Sequence, residues 1–183
     1  MLDRLNKENY GIESDIKSCL IEDILCDEEA VRLIEHKKDV ELPAKHLLYE
    51  QVVPWLKVPG TIEEAKTYVT CEVTIPRVVN EATRIYRLHV FVIAHESQMK
   101  MDSVAGKMID INDRGSKVDI LLDRIDLLIS GSTRYTFDKL TFVGQDIITT
   151  AQKFHGKVNR YDIRGWNRTP ESLEEGEKRG KSV

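Results

Sequence analysis

Apolar residues recur at three- and four-residue steps early in the chain. Ile12, Ile16, Cys19, Leu20 and Ile24 carry the pattern, and it predicts helix over residues 12–36. Asp27 stands where an N-cap would open a second helix. Glu28 and Glu29 fall in its first turn, and His36, Lys37 and Lys38 at its end, an order that suits the helix dipole. The spacing therefore predicts two helices meeting near Cys26–Asp27, or one bent helix. A wider stripe follows later. Val118, Leu121, Leu122, Ile125, Leu128 and Ile129 share one side of a helix over residues 117–130, with Asp119, Asp123, Arg124 and Asp126 facing away. Gly131 can end it.

Period-two alternation marks the strands. In "TYVTCEVTIP", Val69, Cys71, Val73 and Ile75 alternate with Tyr68, Thr70, Glu72 and Thr74, and Pro76 closes the run. "RIYRLHVFVIAHES" is longer and apolar on both sides, which predicts a central strand. "RVVNEAT" reads as the loop between them. "KLTFVGQDIITT" and "GKVNRYDIRGW" form a second strand pair over residues 139–166, with a turn near Phe154–Gly156. Residues 40–66 are broken by Pro43, Pro54 and Pro59. Their apolar load predicts that Leu47, Leu48, Val52 and Trp55 pack onto the body, and Thr61 with Glu64 matches a capping box. Residues 97–116 form a linker. The order of elements predicts one α+β domain over residues 1–166: an antiparallel sheet of about four strands, two hairpins, packed against helices. Residues 167–183 are a charged tail with one leucine and are expected to be disordered.

Composition narrows the classes. Of 183 residues, 41% are hydrophobic and 32% charged, and the net charge is −4. No basic stripe is present, which argues against a dedicated nucleic-acid binder. The first residues are polar, so no secretory signal is expected, and no apolar run is long enough for a membrane span. The three cysteines, Cys19, Cys26 and Cys71, make no CxxC pair. Cys19 and Cys71 lie on apolar faces and are expected to be buried thiols, in keeping with a reducing compartment.

Catalytic patterns fail on inspection. "DINDRG" places Asp110, Asn112 and Gly115 as in a calcium loop, but Arg114 and Leu121 occupy its fifth and twelfth positions. A polar turn is the expectation. His89 and His95 share a strand face but stand about 20 Å apart, too far to share a metal. Asp119, Asp123 and Asp126 share a helix face, and a divalent cation or acid/base pair there is the enzyme reading. Arg124 interleaves with them, and a solvated or interface-facing side is the simpler account. No phosphate loop or nucleophile motif appears. The chain reads as lacking an active site, catalytic residues, cofactor and metal. Its candidate surface is an interface. Arg84, Tyr86, Arg87, Arg134, Tyr135, Arg160, Tyr161, Arg164 and Trp166 gather near strand ends, and such residues anchor protein contacts. Asp119, Asp123 and Asp126 complete that set.

The succession "RIYRLHVFVIAH", "KVDILLDRIDLLISGS", "FDKLTFVGQDIITT", "QKFHGK" and "VNRYDIRGWN" resembles the tail-terminator and neck-completion proteins of long-tailed bacteriophages. "ILCDEEAVRLI" and "VPWLKVPGTIEEAKTYVTCEV" extend the resemblance to roughly residues 15–166. It implies a structural virion protein with no cofactor. Its partners would be its own copies in a ring, a hexamer, together with the tail tube protein and the head–tail connector, with no membrane partner. DNA would pass the lumen without specific binding. Acidic Asp119, Asp123 and Asp126 would then meet basic Arg160, Arg164 and Arg168 of a neighbour. A neighbouring head–tail stopper or adaptor, and a cellular α+β binding module, are the other readings.

Overall fold

The computed structural model describes residues 11–56, 64–80, 83–99, 116–148 and 153–166. Helix α1 spans Ile12–Cys26 and α2 spans Glu28–Glu35. Asp27 alone separates them. Its N–H donates to the Ile24 carbonyl and so closes α1, while its carboxylate accepts from Ala30 N–H and opens α2. One residue thus serves two helix ends, which is why the apolar period breaks there without a loop.

Strands β1 (Val52–Val53), β2 (Thr67–Val78) and β3 (Thr83–His95) follow. Helix α3 covers Lys117–Ile129, and β4 (Thr141–Ile148) and β5 (Phe154–Trp166) end the described chain. α3 opens on the capping box Ser116/Asp119, which satisfies two backbone donors at its start. Gly131 follows it at φ +74, a left-handed turn that glycine takes without strain.

The fold is α+β. The sheet has five strands in the order β1-β2-β3-β5-β4. The expected hairpins are present, and β3 and β5 pair along their whole length to join them. Two details differ from the four-strand antiparallel expectation. β1 adds a short parallel edge through Val52↔Val69 and Val53↔Thr70. β2 also runs past Pro76 to Val78, through a register shift between Thr74 and Arg77. An edge strand tolerates a proline where the ladder is already interrupted. Phe154–Gly156 lies within β5 rather than in a turn. The 61–63 part of the capping pattern, the 110–115 loop and the 167–183 tail lie outside the described residues.

One face of the sheet packs on the helices. Val69, Cys71, Leu88, Val90, Val92, Tyr161 and Ile163 meet Ile16, Leu20 and Ile24 of α1, Leu33 and Ile34 of α2, and Leu121, Leu122 and Ile125 of α3. Each such aliphatic side chain contributes about 2 kcal/mol on burial. Burial, against the lowering effect of Lys17, pushes the Cys71 thiol up to about 12, so it is an inert core group. Cys19, expected to be buried, is half-exposed. Trp55, expected to pack inward, is 49% exposed and stacks on exposed Tyr49 at 5.7 Å. Among the described helices, none is long and apolar enough to cross a membrane.

Candidate protein-interaction surface

The helix layer stops short of the last strand. α3 lies over β3 and β5, and its acidic side runs along the seam between β5 and β4. Lys157 of β5 donates to Asp119 at one end of that seam. Tyr161 of β5 sits near Asp126 and Asp123 at the other. Across the ladder, Lys157 faces Ile147 and Tyr161 faces Phe142. The inner face of β4 therefore carries Phe142, Gln145 and Ile147, with the start of α3 across a cleft from Ile147.

This edge is unusually apolar. Phe142 is 47% exposed, Val143 48% and Ile147 81%, and Leu127 on the outer side of α3 is 76% exposed. A long edge strand presents unpaired backbone N–H and C=O groups, and proteins commonly blunt it with proline, lysine or shortness. The opposite border of the sheet is blunted in this way. β1 has two residues, and β2 carries Pro76 and a register shift. β4 also has a register shift, between Phe142 and Gly144, but it runs for eight residues, none a proline or lysine.

The sequence-derived candidates divide into three groups. Tyr86, Tyr135 and Tyr161 are at most 5% exposed and belong to the core, so their rings are spent inside the subunit. Tyr86 and Tyr161 lie on the apolar side of their strands, which alternation alone did not separate from a surface role, and Tyr135 lies in the loop after α3. Burial, with a hydrogen bond to Asp23 at 2.6 Å, raises the Tyr135 hydroxyl well above its ordinary range. Burial likewise raises that of Tyr161.

A second group is held by internal partners. Arg134 pairs with Glu22 and Asp23 on α1, so with Tyr135 it latches the loop after α3 to the first helix. Arg87 grips Asp162 through both carboxylate oxygens, at 2.6 and 2.8 Å. Arg160 pairs with Asp146, and Asp119 with Lys157 and Ser116. Burial acts to raise the Asp119 carboxyl, but its hydrogen bonds to Lys157 and Ser116 hold it below its usual value. His89 lies on the uncovered face, and burial together with Arg160 and Arg87 pushes it down.

Of the third group, four side chains reach the surface in whole or in part. Arg164 and Asp123 are exposed, while Arg84 and Asp126 are half-buried. Asp126 accepts from the Ser130 hydroxyl at 2.6 Å. Trp166 ends β5. Arg168 lies outside the described residues. No group of three or more His, Cys, Asp or Glu side chains among the described residues converges as a metal site. The three aspartates of α3 are drawn apart, Asp119 to Lys157 and Asp126 to Ser130. A cleft of about 380 Å³ lies at the end of this seam, lined by Met99, Val118, Ile147, Ile148 and Phe154. Sequence reading missed the apolar edge, although "TFVGQDII" shows it: aliphatic and aromatic residues fall on both faces of a strand that ends the sheet.

A family model matches residues 16–163. The chain belongs to the YomW family. The family name is of prophage derivation and points to a phage origin. No curated protein and no solved structure matches the chain. The YomW match runs from the first fully buried residue of α1 into β5, so it takes in the helix layer, the seam and all of β4.

Proposed function

We propose that this YomW-family protein is a structural component of a phage particle. It assembles with its own copies into a ring, a hexamer, at the head-proximal end of the tail tube. There it ends tube growth and joins the tail to the head connector. The chain acts as a scaffold without catalysis or cofactor, and it is assembled in the host cytoplasm and retained in the virion neck.

The observation that carries this reading is the β4 edge. Phe142, Val143 and Ile147 stand exposed on a strand of eight residues without proline or lysine, and such a surface favours a partner chain. The two borders of the sheet differ, so a contact that uses the β4 edge on one copy and another surface on the next is heterologous. Repeated contacts of that kind close into rings or run on as filaments. The prophage-derived family name and the helix–strand succession described above support the virion setting.

The test is negative-stain imaging of the purified protein, alone and mixed with tail tubes from a long-tailed phage that carries it. Rings capping one end of the tubes are expected. Tubes that keep growing past the added protein, with no density at their ends, would overturn the assignment.

A further inference from the structure

The β2–β3 hairpin end carries a surface whose chemistry mirrors the β4 seam. Arg77 of β2 and Arg164 of β5 both stand in register with Ile85 of β3. Paired residues point the same way, so the two arginines flank Ile85 on the face turned from the helices, about 10 Å apart. Both are exposed, and neither makes an ion pair among the described residues. Arg84, in register with Val78, keeps a buried Nε with no acceptor. Val78 and Val79 beside them are 59% and 43% exposed. Arg77 and Arg164 thus flank Ile85 on one face, with Asp138 and Asp162 near Arg164, while Arg84 and Val78 point to the other face.

The β4 seam has the converse character. Phe142 and Ile147 form an apolar floor, and the acidic side of α3 forms a wall. Lys157 answers Asp119, whereas Asp126 has a hydroxyl rather than a cation as its hydrogen-bond donor. The floor fits an apolar projection, and the wall favours arginine.

We infer that the Arg77/Arg164 hairpin end of one copy docks in the Phe142–Ile147 seam of the next. This inference rests on the ring reading and names its contact. The two surfaces lie on opposite faces of the sheet, so the pair cannot satisfy itself within one subunit and passes from copy to copy. Charge complementarity sets the register, and the exposed Val79 at the hairpin end meets the floor.

The test uses two variants, Arg77→Glu/Arg164→Glu and Asp123→Lys/Asp126→Lys, each checked by far-ultraviolet circular dichroism, and sedimentation velocity as readout. Each variant alone should lose assembly, its midpoint concentration rising about tenfold or more. An equimolar mixture should reassemble, because the acidic hairpin end of one fits the basic seam of the other. Misfolded variants would not recover in this way. The milder Arg164→Gln should weaken assembly without reversing it. Variants that assemble as the natural chain does would overturn this contact and leave the ring standing. A natural chain that is monomeric with and without tail tubes would overturn the ring itself.

Discussion

Phe142 meets Tyr161 edge to face, their ring centroids 5.6 Å apart. Tyr161 is fully buried, while Phe142 is 47% exposed. The hydrophobic core thus extends past the helix layer and stops half-covered on the last strand. Ile147 lies further along the same face, 81% exposed, at a cleft that Val118 of α3 also lines.

That gradient separates assembly from stability. Ile147→Asp changes a side chain with almost no packing inside the subunit, so its effect on unfolding should fall within about 0.5 kcal/mol. The same substitution puts charge into the proposed contact. Sedimentation velocity should show weakened assembly beside an unchanged melting temperature. A variant that assembles normally would remove Ile147 from the interface.

Asp27 ties three helices together. It ends α1, caps α2 and receives Arg124 of α3 at 2.9 and 2.6 Å. Asp27→Ala loses a cap worth about 1 kcal/mol and leaves Arg124 without its main partner. Urea unfolding should report a loss of about 2 kcal/mol. Burial acts to raise the Asp27 carboxyl, but the Arg124 and Ala30 hydrogen bonds overcome it and hold the pKa below the unfolded value. Its stabilisation is complete above the unfolded carboxylate range, about pH 4, and is lost as pH falls through the folded value. Asp27→Asn should flatten the acid limb of the stability profile.

Lys117 is fully buried at the start of α3, its Nζ 3.4 Å from the Gln98 amide oxygen. Burial lowers its pKa from 10.5 to about 8. The unfolded chain then holds the proton more tightly, so this residue makes the fold more stable as pH rises between those two values and least stable below them. Cys71 works in the opposite direction between its ordinary value and about 12, so the difference from a variant isolates the lysine. Lys117→Met should stabilise the protein at pH 7, and the gain should shrink by pH 10. A gain independent of pH would contradict a charged amine in the core.

Gly165 faces the Tyr86 ring across the β3–β5 ladder. A Cβ at that position would lie 2.7 Å from Cε2 and 3.0 Å from Cδ2 of a buried ring. Gly165→Ala should therefore cost about 1–3 kcal/mol by overpacking, read in the urea midpoint. Gly144→Ala, with nothing within 4 Å of the added carbon, is the control and should cost less.

The helices and the long strands were legible because each follows one period. Asp27 declared a helix start through its own chemistry, and Leu88, Val90 and Val92 declared a core face by alternation. β1 was not legible: two residues carry no period, and their pairing with Val69 and Thr70 is set by tertiary packing. Pro76 misled because proline stops a central strand but not an edge strand at a ladder shift. For the candidate surface, residue type was a poor guide. Tyrosine serves cores as readily as interfaces, and Tyr86, Tyr135 and Tyr161 all went inward. Arginine's destination depends on which carboxylates the fold brings near, as Asp162 for Arg87 and Asp23 for Arg134, and those partners are distant in sequence.

The mass of the natural chain in solution, by sedimentation velocity or mass photometry over a range of concentrations, tests the central claim most directly. The ring reading predicts a discrete closed species, six times the 21.0 kDa chain, formed alone or on addition of tail tubes. A particle that remains at 21.0 kDa under both conditions would contradict it.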